Sequence, residues 1–136
     1  MRLLLVEDEP FIALDLQLLS TSAGHEVVGV ADTLESASQL ADSVSPDAAL
    51  VDINLRDGFS GIQVSRMLSG ARGVAVGFIT GNTEQIPPDF GGAVAVLEKP
   101  FTQQGVEEML AILRAISEGD AAPRARPRYA RLAPGG

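Results

Sequence analysis

The chain has 136 residues, of which 46% are hydrophobic and 21% are charged, and its net charge of −8 favours metal cations over nucleic acid as ligands. This length suffices for one domain with its own core, and the absence of cysteine excludes disulfide frameworks, thiolate nucleophiles and cysteine-based zinc sites. No apolar run reaches transmembrane length and no signal peptide precedes the first acidic residues, so we expect a cytoplasmic protein without membrane contacts.

Apolar and amphipathic segments alternate along the first half of the chain. Residues 2–6 predict a buried strand that ends in acidic residues, and Pro10 suits the first turn of the helix that follows. A second strand over residues 26–31 precedes a second amphipathic helix, which ends before Pro46. Residues 48–52 then predict a third strand, which is apolar up to its last residue and therefore buried on both faces.

The second half continues this alternation with one exception. A short helix capped by Ser60 precedes the fourth strand, residues 74–79. Where a fourth full helix is expected, residues 83–92 contain two adjacent prolines and two glycines, which permit about one helical turn at most. The fifth strand, residues 93–97, is followed by a last helix that Thr102 caps.

Five strands that alternate with helices predict an α/β fold with a parallel sheet, right-handed crossovers and helices on both faces. We therefore predict a flavodoxin-like (βα)5 doubly wound sheet with strand order 2-1-3-4-5, in which helix 4 is shortened or absent. Such sheets bind ligands outside the carboxyl ends of their strands, near the switch point between strands 1 and 3.

The C-terminal segment differs from the rest of the chain in composition and charge. All 18 acidic side chains lie in residues 1–120, whereas residues 121–136 hold four arginines and no acid. We predict that residues 119–136 are a solvated, disordered tail rich in arginine, proline and alanine. Two alternatives are an arm that docks on a second subunit and, least favoured because the rest of the chain is acidic, a weak contact with nucleic acid.

Polar side chains follow four of the five predicted strands. In chain order they are Glu7 and Asp8 after strand 1, Asp52 at the end of strand 3, Thr80 after strand 4 and Lys99 after strand 5. Because the carboxyl ends of parallel strands share one edge of the sheet, we expect these side chains to lie close together. Three adjacent carboxylates are costly without a counter-ion, and Mg²⁺ prefers carboxylate, carbonyl, water and phosphate oxygens.

With Mg²⁺ bound, Asp52 can attack a phosphoryl group and form an aspartyl phosphate. The backbone carbonyl of Asn54 is a further expected metal ligand. The ammonium of Lys99 and either the Thr80 hydroxyl or the Gly81 N–H are expected to contact the remaining phosphoryl oxygens. Glycine at position 81 would let the backbone come close to the phosphate.

Pro100 follows Lys99 directly. A proline holds the preceding residue extended and makes a cis peptide bond accessible. We predict a cis Lys99–Pro100 bond that aims the lysine inward. Taken singly, Lys99 would be a solvated surface lysine, Thr80 a strand-end hydroxyl and Asp52 a loop cap, while the acids after strand 1 would be first-turn residues favoured by the helix dipole. Their joint placement at one edge favours the functional interpretation.

At these residues the chain resembles the receiver domain of two-component response regulators, through the segments LLLVEDEP, LVDINLRDGFSG, FITGN and LEKPF. The resemblance covers residues 1–118 and leaves residues 119–136 as the tail. It implies Mg²⁺ as the cofactor, for which Mn²⁺ or Ca²⁺ is expected to substitute, and a histidine kinase as the phosphodonor. By position it implies these roles: metal-binding acids at Glu7 and Asp8, phosphoacceptor at Asp52, switch hydroxyl at Thr80 and conserved lysine at Lys99.

A narrower resemblance, to receivers paired with HWE-type histidine kinases, rests on the opening EDEPFIALDL, the FITG strand end, the proline-rich gap and the LEKPF ending. Two features depart from the usual receiver. An aromatic switch residue commonly lies three positions before the lysine, where this chain has Val96. Residues 86–92 replace the helix commonly used for docking, so we predict a shifted or different face for any homodimer.

Three functional hypotheses follow. The first is a single-domain response regulator that signals to an unknown downstream protein or acts as a phosphate sink, with no DNA-binding domain and no turnover of a separate substrate. The second is a metal-dependent phosphatase or phosphotransferase, a class that usually has a second acid where this chain has Asn54. The third is a pseudo-receiver that is never phosphorylated. Val96 and the missing helix argue for it, and the complete set of acids, threonine and lysine argues against it.

Overall fold

The computed structural model describes residues 1–120 and 126–134. A single sheet contains six strands: β1 (Arg2–Val6), β2 (Glu26–Ala31), β3 (Ala48–Val51), β4 (Ala75–Thr80), β5 (Ala95–Glu98) and β6 (Arg131–Leu132). Four helices follow the first, second, third and fifth strands: α1 (Pro10–Ser22), α2 (Leu34–Val44), α3 (Gly61–Ser69) and α4 (Gln103–Ser117). None of these helices combines the length and the hydrophobicity needed to span a bilayer.

The strand order is β2-β1-β3-β4-β5-β6, and the first five strands are parallel. The predicted α/β flavodoxin-like fold with order 2-1-3-4-5 is therefore confirmed. The register pairs Val6 with Val51 and Val51 with Phe78. The carboxyl ends of β1, β3 and β4 consequently lie side by side, which is the arrangement that the candidate site requires.

Apolar side chains from alternate strand positions fill one core layer on each face of the sheet. Leu4, Val51 and Phe78 belong to the layer beneath α2 and α3. Leu5 and Leu50 belong to the layer beneath α1 and α4. Because both faces are covered, the strands read as continuous apolar runs rather than as alternating ones.

Hydrogen bonds at the helix starts agree in part with the sequence. Thr102 caps α4 by accepting the Gly105 N–H at 3.0 Å, and the α2 N-cap is Thr33, which accepts the Ser36 N–H at 3.1 Å. Ser60 is the N-cap residue of α3, as predicted, but its side chain makes no capping hydrogen bond to the helix. The Ser60 hydroxyl instead donates to a carboxylate of its own loop.

The segment between β4 and β5 contains two single 3₁₀ turns, Thr83–Gln85 and Phe90–Gly92, in place of a full helix. This confirms the prediction that helix 4 is shortened or absent. Phe90 is buried, and the preceding Asp89 accepts two hydrogen bonds from Arg66 on α3, at 2.8 and 3.2 Å. The segment is therefore held against α3 although its prolines prevent a helix.

Helix α1 leaves part of its apolar surface in solvent. Leu16 is buried. Phe11, Leu14 and Leu18 are exposed by 80%, 52% and 59%. Because these three residues are spaced by three and four positions, they form one exposed stripe.

The prediction of a disordered tail was wrong for the described residues 126–134. Strand β6 pairs antiparallel with β5, a sixth strand that the sequence did not predict. The physical reason is that the outer edge of β5 offers unpaired backbone groups, which a composition-based argument does not take into account. Residues 121–125 and 135–136 of the predicted tail lie outside the described residues.

Candidate functional site

Three carboxylates meet where β1 and β3 end. Glu7, Asp8 and Asp52 each offer an oxygen, and these oxygens lie within 4.8 Å of one another. The backbone holds them there, because the Asp52 N–H donates to the carbonyl of Val6 at 2.9 Å. Glu7 is 4% and Asp52 8% exposed, so both carboxylates are largely removed from solvent.

Lys99 reaches this acidic group from the end of β5. Its ammonium donates to Glu7 Oε1 at 2.8 Å and to Asp52 Oδ2 at 2.9 Å. The Lys99 N–H donates to the carbonyl of Thr80 at 2.9 Å, which ties the ends of β4 and β5 together. The Lys99–Pro100 peptide bond is cis.

Burial and the contacts among Glu7, Asp52 and Lys99 shift the pKa values of the site. The pKa of Glu7 is raised to about 7: burial is the largest cause, the hydrogen bond from Lys99 opposes the rise, and the nearby Asp52 adds to it. Burial alone would lower the pKa of Lys99, but its hydrogen bonds to Glu7 and Asp52 outweigh burial, so the pKa is raised. Lys99 therefore does not fully offset the cost of ionising the buried Glu7 at neutral pH. A second cation close to this carboxylate would stabilise its charged form.

The donor set fits a hard divalent cation. Mg²⁺ takes oxygen ligands, and it is usually held by one or two carboxylates with water and substrate oxygens completing the shell. Glu7, Asp8 and Asp52 provide carboxylate oxygens close enough together to share one ion. Metal binding by Asp8 and by the backbone carbonyl of Asn54, both expected from the sequence, stays a prediction.

The residues that follow the strands complete the rim. Thr80 is fully buried, and its hydroxyl oxygen accepts the Asn82 N–H at 3.0 Å. The Asn54 N–H donates to Asp52 Oδ1 at 3.3 Å. A Cβ added at Gly81 would meet no atom within 4 Å, so crowding by the protein does not explain a glycine there. The role of Gly81 in phosphate binding stays a prediction.

Sequence reasoning missed two residues that shape the loop after Asp52. Gly61 packs so closely that an added Cβ would overlap the backbone of Asp52 and Ile53. Asp57 accepts the Leu34 N–H at 3.1 Å and the hydroxyl of Ser60. The sequence contained one indication of the close approach at Gly61, namely a glycine directly after the loop. It contained no indication of the hydrogen bond that links Asp57 to α2.

A family model of the response regulator receiver domain matches residues 3–111. The chain belongs to this family. The receiver is 36% identical over 110 residues to the phyllosphere-induced regulator PhyR of Methylorubrum extorquens, an alignment that covers 79% of this chain and 41% of that protein. It is 30% identical over 106 residues to the transcriptional regulatory protein PdtaR of Mycobacterium tuberculosis, covering 74% of this chain and 50% of PdtaR. The chain thus spans half or less of the length of these curated relatives.

Solved structures give the same family. The response regulator PhyR of Brucella abortus superposes with a TM-score of 0.74 at 33% identity, covering 87% of this receiver and 49% of PhyR. The receiver domain of PhyR from Erythrobacter litoralis gives a TM-score of 0.73 at 30% identity, and the match covers 91% of this chain and 95% of that domain. The fold described above is therefore the fold of receiver domains.

Proposed function

We propose that this receiver accepts a phosphoryl group from a histidine kinase on Asp52 in a Mg²⁺-dependent reaction. The observation that carries the proposal is one cluster of three carboxylates in which Lys99 contacts both Glu7 and Asp52. Signalling would then follow through altered partner binding or through a phosphate sink in a relay. We place this activity in the cytoplasm, without turnover of a separate substrate.

Asp52 is the proposed nucleophile because its oxygens are oriented by two different donors. Lys99 donates to Oδ2 and the Asn54 N–H donates to Oδ1. In the transfer, one carboxylate oxygen of Asp52 bonds to phosphorus while the bond from phosphorus to the kinase histidine nitrogen breaks, and the imidazole leaves with the bonding electrons. When bound by Glu7, Asp8 and Asp52, Mg²⁺ would neutralise charge on the phosphoryl group.

We infer that two further side chains, those of Lys99 and Thr80, respond to the product. Lys99 lies between Glu7 and Asp52, so a phosphoryl group on Asp52 offers its ammonium a new anionic partner. Thr80 holds its hydroxyl at the end of the neighbouring strand, where the O–H can donate to a phosphoryl oxygen. Movement of these groups would change the rim loops and hence the surface that a partner contacts.

The partners are proposed from the relatives. PhyR of Bartonella quintana, 29% identical, is described as an anti-anti-sigma factor. We propose that this receiver likewise signals by binding a regulatory protein rather than DNA. Its phosphodonor is proposed to be a histidine kinase, of the HWE type on the narrower resemblance of its sequence motifs.

The first test is the intact mass of the protein after incubation with acetyl phosphate and Mg²⁺. We expect a gain of one phosphoryl group that is lost with EDTA and with Asp52→Asn. Asp42→Asn, which changes an exposed acid on α2, is the matched control and should label normally. If acetyl phosphate does not label the protein, the same comparison is made with a phosphorylated histidine kinase as the donor. Labelling of Asp52→Asn by that kinase would overturn the assignment of Asp52 as the phosphoacceptor.

A further inference from the structure

Residues 126–134, called the edge segment below, lie along the outer side of β5. Leu132 pairs with Ala95 and Arg131 with Val96, and the Ala133 N–H donates to the carbonyl of Val94 at 2.9 Å. The edge segment therefore completes backbone hydrogen bonding that β5 would otherwise leave open to solvent or to another chain.

Glu108 on α4 anchors the start of this segment. Its carboxylate accepts three successive backbone N–H groups, from Arg128 at 2.8 Å, Tyr129 at 2.8 Å and Ala130 at 2.7 Å. Burial alone would raise the pKa of Glu108, but these hydrogen bonds outweigh it and hold the pKa below its usual value. One carboxylate thus recognises a bend of the backbone at residues 128–130, just before the chain pairs with β5, independently of its side chains.

Side-chain contacts around the segment are few and chemically distinct. Ala130 is buried in the core layer beneath α4, and Leu132 is half-buried against the same layer. The guanidinium of Arg131 lies 5.7 Å from the ring centroid of Phe90, within cation–π range. The site therefore selects a small residue at position 130, the last that Glu108 anchors, and a cation at the next position, 131.

This arrangement has the features of a binding site and not only of a fixed structural element. Ala130 is the one buried side chain among residues 126–134, and only Leu132 and Ala133 pack partly against the core beside it, so little apolar surface holds the segment in place. Residues 1–120 carry all 18 acids against six bases, whereas the edge segment carries three arginines and no acid. Charge complementarity thus favours a basic strand at this edge, whichever chain supplies it.

We propose that the outer edge of β5, with Glu108 and Phe90, is a strand-addition site for a basic peptide of a partner protein, which would bend at Glu108 and then pair with β5. In the free chain its own residues 126–134 occupy the site, and the partner binds by replacing them. Backbone hydrogen bonds provide affinity in this mode, and the positions of Ala130 and Arg131 provide specificity. This inference stands apart from the proposed phosphorylation of Asp52, since it needs neither phosphate nor metal.

The test uses the full chain and a fluorescein-labelled peptide with the sequence RPRYARLAP, residues 126–134, followed by fluorescence anisotropy. Ala130→Asp should release the segment in cis, because it places a carboxylate in a buried site beside Glu108, and it leaves the edge itself unchanged. We expect this variant to bind the peptide at least tenfold more tightly than the wild-type chain. Adding Glu108→Ala to Ala130→Asp should remove most of that binding.

Equal binding by the wild type and by Ala130→Asp would overturn the proposal, as would binding that survives Glu108→Ala. A scrambled peptide of the same composition is the control. Equal affinity for the scrambled peptide would overturn the proposal, because charge alone would then account for the binding. A concentration-dependent dimer of the wild-type chain would assign the edge to a second copy and also overturn the proposal.

Hydrogen exchange on the wild-type chain provides a test without substitutions. We expect the amides of Ala130 and Ala133 to exchange at least a hundredfold faster than those of β4, because the segment opens locally while the sheet stays folded. Exchange of these amides as slow as that of β4 would mean that the edge opens only on global unfolding, and the proposal would fail.

Discussion

The raised pKa of Glu7 predicts an unusual pH dependence of stability in the metal-free protein. Burial, as the largest cause, raises this pKa from an ordinary value of 4.5 to about 7. Since one pKa unit corresponds to about 1.4 kcal/mol, ionising Glu7 in the folded state costs about 3 kcal/mol relative to the unfolded chain. The folded state therefore retains a proton that the unfolded chain has already lost.

The sign follows from proton binding. Between about pH 4.5 and pH 7 the native state binds more protons at this position than the unfolded state, so the free energy of unfolding falls as the pH rises. The contribution of Glu7 is most favourable below pH 4.5 and is fully lost above pH 7. Added Mg²⁺ should reverse the loss at high pH, because it binds the ionised carboxylate.

Urea unfolding in EDTA at pH 5 and pH 8 measures this effect. Wild-type protein should lose about 2–3 kcal/mol more than Glu7→Gln between the two values, on the same conversion of the pKa shift. The glutamine keeps an oxygen that can accept the hydrogen bond from Lys99, so packing changes little. Glu26→Gln, an exposed acid, is the control and should follow the wild type. If the free energy of unfolding changed equally between pH 5 and pH 8 in the wild type and in Glu7→Gln, the reasoning would be refuted.

Three further substitutions test the site and its supports. Lys99→Met should leave the fold intact and lower phosphoryl labelling of Asp52 at least tenfold, as intact mass would show; unchanged labelling would contradict the role of the lysine. Gly61→Ala should lower the free energy of unfolding by about 2 kcal/mol or more, because the methyl group overlaps the backbone of Asp52; an unchanged urea midpoint would contradict the close approach. Thr102→Ala should cost about 1 kcal/mol by removing the cap on α4, and Thr102→Ser should restore most of it.

Much of the fold and of the candidate site could be predicted from local patterns. The two adjacent prolines in residues 83–92 exclude a helix wherever the segment lies, because the restriction acts within the backbone itself. Placement of Asp52 and Lys99 at one rim followed from the parallel sheet, since every strand of such a sheet ends at the same side. These inferences need only the order of residues along the chain.

Contacts between distant residues required the tertiary structure. Glu7 and Lys99 lie 92 positions apart, and only packing shows that they share a hydrogen bond and that burial raises the pKa of the acid. Similarly, the sequence of α1 does not distinguish the buried Leu16 from the exposed Phe11, because neighbouring elements determine which face is covered.

The C-terminal segment shows the same division most clearly. By itself, the sequence determined the five parallel strands, the missing helix and the composition of the tail, because propensity and periodicity act over a few residues. Only the tertiary structure decided that residues 126–134 add a strand, since this depends on the open edge of β5 and on Glu108, which lies about 20 positions earlier in the chain. Composition describes what a segment could bury by itself, whereas pairing depends on what the rest of the fold offers it.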